Sequence, residues 1–129
     1  MDNTERKERL NELAAAFRES QQALFAVGDP TRQLIILSLI DSSGECREGG
    51  TRVGEIASRT NLSRPAVSHH LKILKDANLI GMKRVGTKNY YYLEVHQSDL
   101  FKLKQLFDDS AAFVYRLQDG ATTTMEEEG

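Results

Sequence analysis

Apolar residues recur along this chain in two rhythms, one helical and one of strands, and the change between them predicts its elements. From Thr4 to Val27, Leu10, Leu13, Phe17, Leu24 and Phe25 form a stripe on a background of charged and amide side chains, which predicts one amphipathic helix. Gly28 ends it, Asp29 stands where a cap belongs, and Pro30 takes the first helical position. Leu34, Ile35, Leu37, Leu39 and Ile40 then make 31–40 apolar nearly all round, which predicts a central helix. Asp41 to Thr51 is rich in glycine and charge and reads as a loop. Val53, Ile56 and Ala57 mark a further helical face, and Thr60-Asn61-Leu62 is a turn. Ser63 caps the next helix, with Pro65 in its first turn. Val67, Leu71, Ile73 and Leu74 carry that helix towards Asn78, which suits a left-handed terminator. Ile80–Val85 and Asn89–Leu93 then read as strands around the three-residue connection Gly86-Thr87-Lys88. After the hairpin, Ser98 caps a last helix, with Asp99 favourable at its positive end. There Leu100, Leu103, Phe107, Val114 and Leu117 repeat at heptad spacing, widened by Leu106 and Phe113.

A helix, a turn, a second helix and a hairpin make a winged helix-turn-helix. The expected fold is therefore mainly α, with five or six helices and a small β-hairpin wing. On a helical wheel of about 100° per residue, Ala66, Val67, Leu71, Ile73, Leu74 and Ala77 share one side of the second helix. Arg64, Pro65, Ser68, His69, Lys72 and Lys75 share the other, which is read as free of carboxylates. A merely solvated face mixes both signs, whereas a face laid against phosphates does not. Lys83, Arg84 and Lys88 add positive charge around the wing tip. The run Tyr90-Tyr91-Tyr92 is explained by strand propensity and packing rather than base stacking.

Charge is segregated along the chain. The net charge of the 129 residues is −2, yet Gly50 to Tyr92 holds eight basic and two acidic residues. The motif is cationic and its supports are acidic, as for a nucleic-acid reader. No run of about 18 apolar residues predicts a membrane span. The N-terminal stretch is charged rather than signal-like, and the single cysteine, Cys46, fits a reducing cytoplasm. One domain over 1–118 is expected, with dimerisation helices at about 4–27 and 98–118 and an acidic, disordered tail over 119–129.

The run Ala26-Val27-Gly28-Asp29-Pro30-Thr31-Arg32 before an apolar helix resembles the opening of the ArsR/SmtB family of winged-helix repressors. So does Ser68-His69-His70-Leu71-Lys72-Ile73-Leu74 followed by Ala77-Asn78-Leu79-Ile80. The likeness covers roughly Phe25 to Leu93, and beyond it the flanking helices match in pattern only. It implies a dimeric repressor of a bacterial operon. The apolar seams of the first and last helices point the same way, with Leu10, Leu13, Phe17, Leu24, Leu100, Leu103, Phe107, Val114 and Leu117 as interface residues. The alternative is that both helices simply cover the core.

A dimer would present two recognition helices to successive major grooves, with centres about 34 Å apart, so the target would be an inverted repeat of double-stranded DNA. Arg64, Ser68 and His69 are the candidates for base edges, while Ser63, Lys72 and Lys75 suit phosphates. Lys83, Arg84, Thr87 and Lys88 would be the wing contacts. His70 falls amid the apolar face and reads as a packed, hydrogen-bonded core histidine.

Many members of the resembled family sense metals through two ligand sets. At the matching positions this chain has Arg52 and Gly54 for one set, and Asp99, Phe101, Ala112 and Tyr115 for the other. Only the aspartate could bind, and helix capping explains it, so no metal or cofactor is expected. His96 with Asp99 is a pair of possible ligands and no more. Cys46, beside Arg47, is a candidate redox thiol, although a plain loop cysteine explains it as well. An organic effector in a cleft between the dimer helices is one alternative, and the absence of any effector is the other. No nucleophile with a base, phosphate loop or metalloprotease motif is present, which argues against an enzyme. The competing reading is a winged helix that contacts protein without specific DNA binding; the cationic face argues against it.

Overall fold

The computed structural model describes residues 1–43 and 49–128, with side chains as far as 119. In chain order it contains α1 (Asn3–Glu19), α2 (Gln21–Val27), α3 (Pro30–Ser42), α4 (Val53–Thr60), α5 (Arg64–Asp76), β1 (Ile80–Val85), β2 (Lys88–Leu93) and α6 (Asp99–Glu128). The chain forms two compact units: Gln21–Phe101, and Met1–Ser20 together with Lys102–Gly129. Cys46 lies outside the described residues.

The unit Gln21–Phe101 is the winged helix-turn-helix. Helices α3, α4 and α5 pack on one another, α2 packs on α3 and α5, and the hairpin packs on α3, α4 and α5. Ile35, Ile56, Val67, Leu71, Leu74 and Leu79 are the largest fully buried side chains, so the apolar side of α5 is the core side. The caps stand where the sequence puts them. Ser63 Oγ accepts the Ala66 N–H at 3.2 Å. Asn61 and Asn78 both adopt left-handed backbone, each with φ of 57°, and end α4 and α5 as asparagine can.

Asp29 caps α3, its carboxylate accepting the Arg32 N–H at 2.9 Å. That backbone hydrogen bond, and after it the charge of Arg32, hold the Asp29 carboxyl below its ordinary 3.8, with partial desolvation opposing. A depressed carboxyl stabilises the fold above its ordinary value, and the contribution is lost as pH falls through the folded-state value. We expect Asp29→Ala to lower Tm by about 4 °C at neutral pH. Thermal melts should show the gap from wild type closing as pH drops below 3.8.

Four expectations about elements change. The predicted helix over Thr4–Val27 is interrupted at Ser20, which is buried and whose N–H is shared between the Ala16 and Phe17 carbonyls at 3.1 and 3.2 Å. Leu24 consequently belongs to the winged unit and not to the stripe of α1. Helix α3 is not buried all round: Ile35 and Leu39 face the core, while Leu34, Leu37 and Ile40 are about half exposed. Among the described residues, α2, α4, α5 and β2 pack on α3. The wing connection is a two-residue turn, because Val85 pairs with Lys88. Gly86 supplies its positive φ of 63°, as at the first central position of a II′ turn. Finally, Thr51 is not loop. Its N–H and C=O exchange hydrogen bonds with Tyr91 at 2.7 and 2.8 Å, an isolated antiparallel bridge on the outer edge of β2. Gly50 permits that approach, since a Cβ there would lie 2.9 Å from the Tyr91 carbonyl oxygen.

In the other unit, α1 and the part of α6 from Lys102 onward pair, with Arg116 Nη2 3.7 Å from Glu5 Oε1. The wide stripe of α6 divides: Leu103, Leu106 and Phe113 are buried, whereas Phe107 and Val114, one heptad apart, stay half exposed. Leu103 is thus covered within the protomer instead of being open to a partner. Leu10 and Phe17 of α1 are exposed with the same heptad separation, and Leu13 lines the groove between the two helices. Leu100 and Leu117 are partly exposed. Helix α6 continues to Glu128, past the expected end at 118 and along the segment expected to be disordered. Once a long helix exists, each added residue gains one bond without a new nucleus. No single helix among the described residues is long and apolar enough to cross a membrane.

Candidate nucleic-acid interface

Helix α5 presents Arg64, Pro65, Ser68, His69, Lys72, Lys75 and Asp76 to solvent. The outward face predicted from the wheel is therefore the exposed one. It is not free of carboxylates: Asp76 Oδ2 pairs with Lys72 Nζ at 3.1 Å across one turn. The pair is exposed and weak, so a phosphate can displace it. Lys75 has no ion pair among the described residues. The cationic patch is thus strongest through Arg64 at the helix start and Lys75 near its end.

Arg64 lies where wheel geometry could not place it. Its guanidinium rests over Gly54 of α4, where a Cβ would be 2.8 Å from Nη2 and 3.2 Å from Cζ. The side chain bridges the two helices of the motif rather than extending straight outward.

On the wing, Lys83, Arg84, Thr87 and Lys88 are all exposed. Strand alternation puts Gly81, Lys83, Val85, Lys88, Tyr90 and Tyr92 on one face, and Ile80, Met82, Arg84, Asn89, Tyr91 and Leu93 on the other. Arg84 Nε donates to the Gly86 carbonyl at 3.2 Å, so Arg84 also closes the tip. Tyr92 lays its ring over Gly81, where a Cβ would meet it at 2.5 Å, and Tyr90 and Tyr91 are half-buried. The tyrosines are packed, as strand propensity implies. Of the remaining cations of the motif, Arg59 is bound to Asp41 at 2.9 Å and to Glu55 at 3.1 Å and serves structure.

Sequence reasoning missed the residue that meets the middle of α5. Arg32 is 6% exposed. Its Nε donates to the Ala26 carbonyl at 2.8 Å and its Nη2 to the Phe25 carbonyl at 3.2 Å. Its Nη1 lies 3.4 Å from His70 Nδ1. A guanidinium only donates, so any hydrogen bond between the two runs from Arg32 to His70 Nδ1. His70 is half-buried and hydrogen-bonded, in keeping with its expected structural role, and it ties α5 to α2 and α3. His69 is exposed, and the two rings meet edge-on at 5.5 Å.

Asp99 is engaged at the joint after the wing, its carboxylate accepting from Asn78 Nδ2 at 3.1 Å. Among the described residues no three His, Cys, Asp or Glu side chains converge as metal ligands would.

Residues 29–81 match the model of the bacterial regulatory protein family arsR. The chain is 41% identical over 68 residues to the transcriptional repressor SdpR of Bacillus subtilis, covering 53% of this chain and 68% of that one. It is 36% identical over 76 residues to the arsenical resistance operon repressor of the same organism, covering 59% and 67%. Among solved structures, a predicted DNA-binding transcriptional regulator from E. coli superposes with a TM-score of 0.57 at 29% identity, covering 74% of this chain and 95% of that one.

Proposed function

This chain belongs to the ArsR family of bacterial regulatory proteins and is a DNA-binding transcriptional regulator rather than an enzyme; from that premise we propose that it represses by binding an inverted repeat as a homodimer. The observation that carries the proposal is the exposed face of α5, with Ser68, His69 and Lys75 outward, Arg64 exposed across the start of the motif, and the apolar core behind. Ser68 and His69 stand in the first half of the helix, where base edges are reached. Arg64 is the third reader, directed from its seat over Gly54. Ser63, Lys72 and Lys75 take phosphates, and Lys83, Arg84, Thr87 and Lys88 take the backbone or minor groove beside the recognition helix.

Dimerisation is supported by the exposed edges Leu10–Phe17 of α1 and Phe107–Val114 of α6, each repeated after one heptad. The family resemblance implies the same assembly. The regulator works without the metal-ligand sets of its sensing relatives, because Arg52 and Gly54 cannot ligate and Asp99 is committed to Asn78. It acts in the cytoplasm, beside its DNA.

A mobility-shift titration tests this reading, using a duplex that the chain selects from a randomised pool. Salt-sensitive binding that strongly prefers the selected duplex over a scrambled one is expected. Equal binding to both, or none, would favour a protein-contact module. In the same assay, Lys83→Ala with Lys88→Ala should weaken both duplexes alike. It should also flatten the plot of log K against log salt by about 1 per lysine, since these residues meet phosphates.

A further inference from the structure

Gly54 does work in α4 that the helix itself does not ask of it. Glycine is a poor helix former, yet it occupies the second position of an eight-residue helix. Its φ is not positive, so backbone conformation does not require it. What a side chain there would meet is Arg64. The three atoms nearest a Cβ built on Gly54 all belong to Arg64: Nη2 at 2.8 Å, Cζ at 3.2 Å and Nε at 3.5 Å. Nothing closer constrains the site. The base of the Arg64 side chain is fixed, because Ser63 caps α5 and Pro65 locks the next φ. From that base the long side chain lies over a glycine of the neighbouring helix, which leaves its guanidinium room.

We propose that Gly54 is a positioning residue for DNA recognition, its missing side chain setting where the Arg64 guanidinium stands when α5 meets the duplex. The inference rests on the reading of Arg64 as a DNA contact. The bare glycine lets the guanidinium lie across the two helices, and from there its fork of donors approaches the duplex in a direction that a side chain at position 54 would close off. A methyl group at position 54 must displace it. That displacement is cheap for the fold, because the far end of an exposed side chain gives way, and alanine favours the helix. It is not cheap for recognition, where the direction of the donors decides which base is read.

The test measures the preference for a duplex selected by the wild-type chain over a scrambled duplex of the same length. It is run on wild type, Gly54→Ala, Arg64→Ala and the double variant, with melting temperatures and the Arg64 Nε–H resonance followed in parallel. Gly54→Ala should melt no lower than wild type, shift the Arg64 resonance, and lose about tenfold in preference. In the Arg64→Ala background the same substitution should change the preference by less than about twofold, because the two residues act as one. Gly54→Ser should behave as Gly54→Ala. An unchanged preference in Gly54→Ala, or an equal loss with and without Arg64, overturns the proposal. An Arg64→Ala chain that keeps the full preference overturns the DNA role of Arg64 itself, and the positioning role falls with it.

Discussion

A chain carrying Phe107→Glu is expected to remain folded, to sediment as a monomer, and to bind its selected duplex about 100- to 10,000-fold more weakly than wild type. Phe107 is 50% exposed and Val114, one heptad on, is 48% exposed. Neither is needed for the protomer core, which Leu103, Leu106 and Phe113 supply on this helix. A carboxylate placed on the open edge would have to be desolvated without a partner if that edge met another copy. Each recognition helix alone would then hold one half-site, and the gain from joining two half-sites in one molecule would vanish. Sedimentation and mobility shift read the two effects separately. A dimer that persists in Phe107→Glu would move the interface away from this edge.

The second large effect concerns Arg32. Arg32→Met is expected to destabilise the winged unit by about 3 kcal/mol, or on the order of 10 °C in Tm. The guanidinium is buried and makes charge-assisted bonds to the carbonyls of Phe25 and Ala26, with the Phe25 ring 5.1 Å beneath it. Removing it leaves those carbonyls and His70 Nδ1 without their donor. Arg32→Lys should recover little, because one ammonium cannot span two carbonyls and an imidazole. Thermal and urea melts measure this, and a Lys variant as stable as wild type would show that only the charge matters.

Local chemistry was legible in the sequence, and so was the fold class. Asp29, Ser63 and Asn78 declare their roles through bonds to neighbours a few residues away, and such short-range signals carry across any tertiary arrangement. The exposed face of α5 was legible for the same reason: a wheel tells which residues share a side. What covers each side is not written locally. Leu34, Leu37 and Ile40 are apolar and yet half exposed, because apolar character does not name the element that packs against it. The break at Ser20 has no glycine or proline to announce it. Thr51 becomes a bridge residue only because Tyr91, far along the chain, offers a free edge. Arg32 and Gly54 were missed because their partners, His70 and Arg64, are distant in sequence. A glycine within a helical pattern was the one available hint, and a close side-chain approach is one of its physical meanings.

The most direct measurement is methylation interference on the selected duplex, read at guanine N7 in the major groove. Two interfering patches, related by an inverted repeat and centred about 10 base pairs apart, are predicted, with Ser68→Ala and His69→Ala each erasing signal at its own position in both patches. A single patch, or interference that is indifferent to both substitutions, would contradict the claim that α5 reads DNA in pairs.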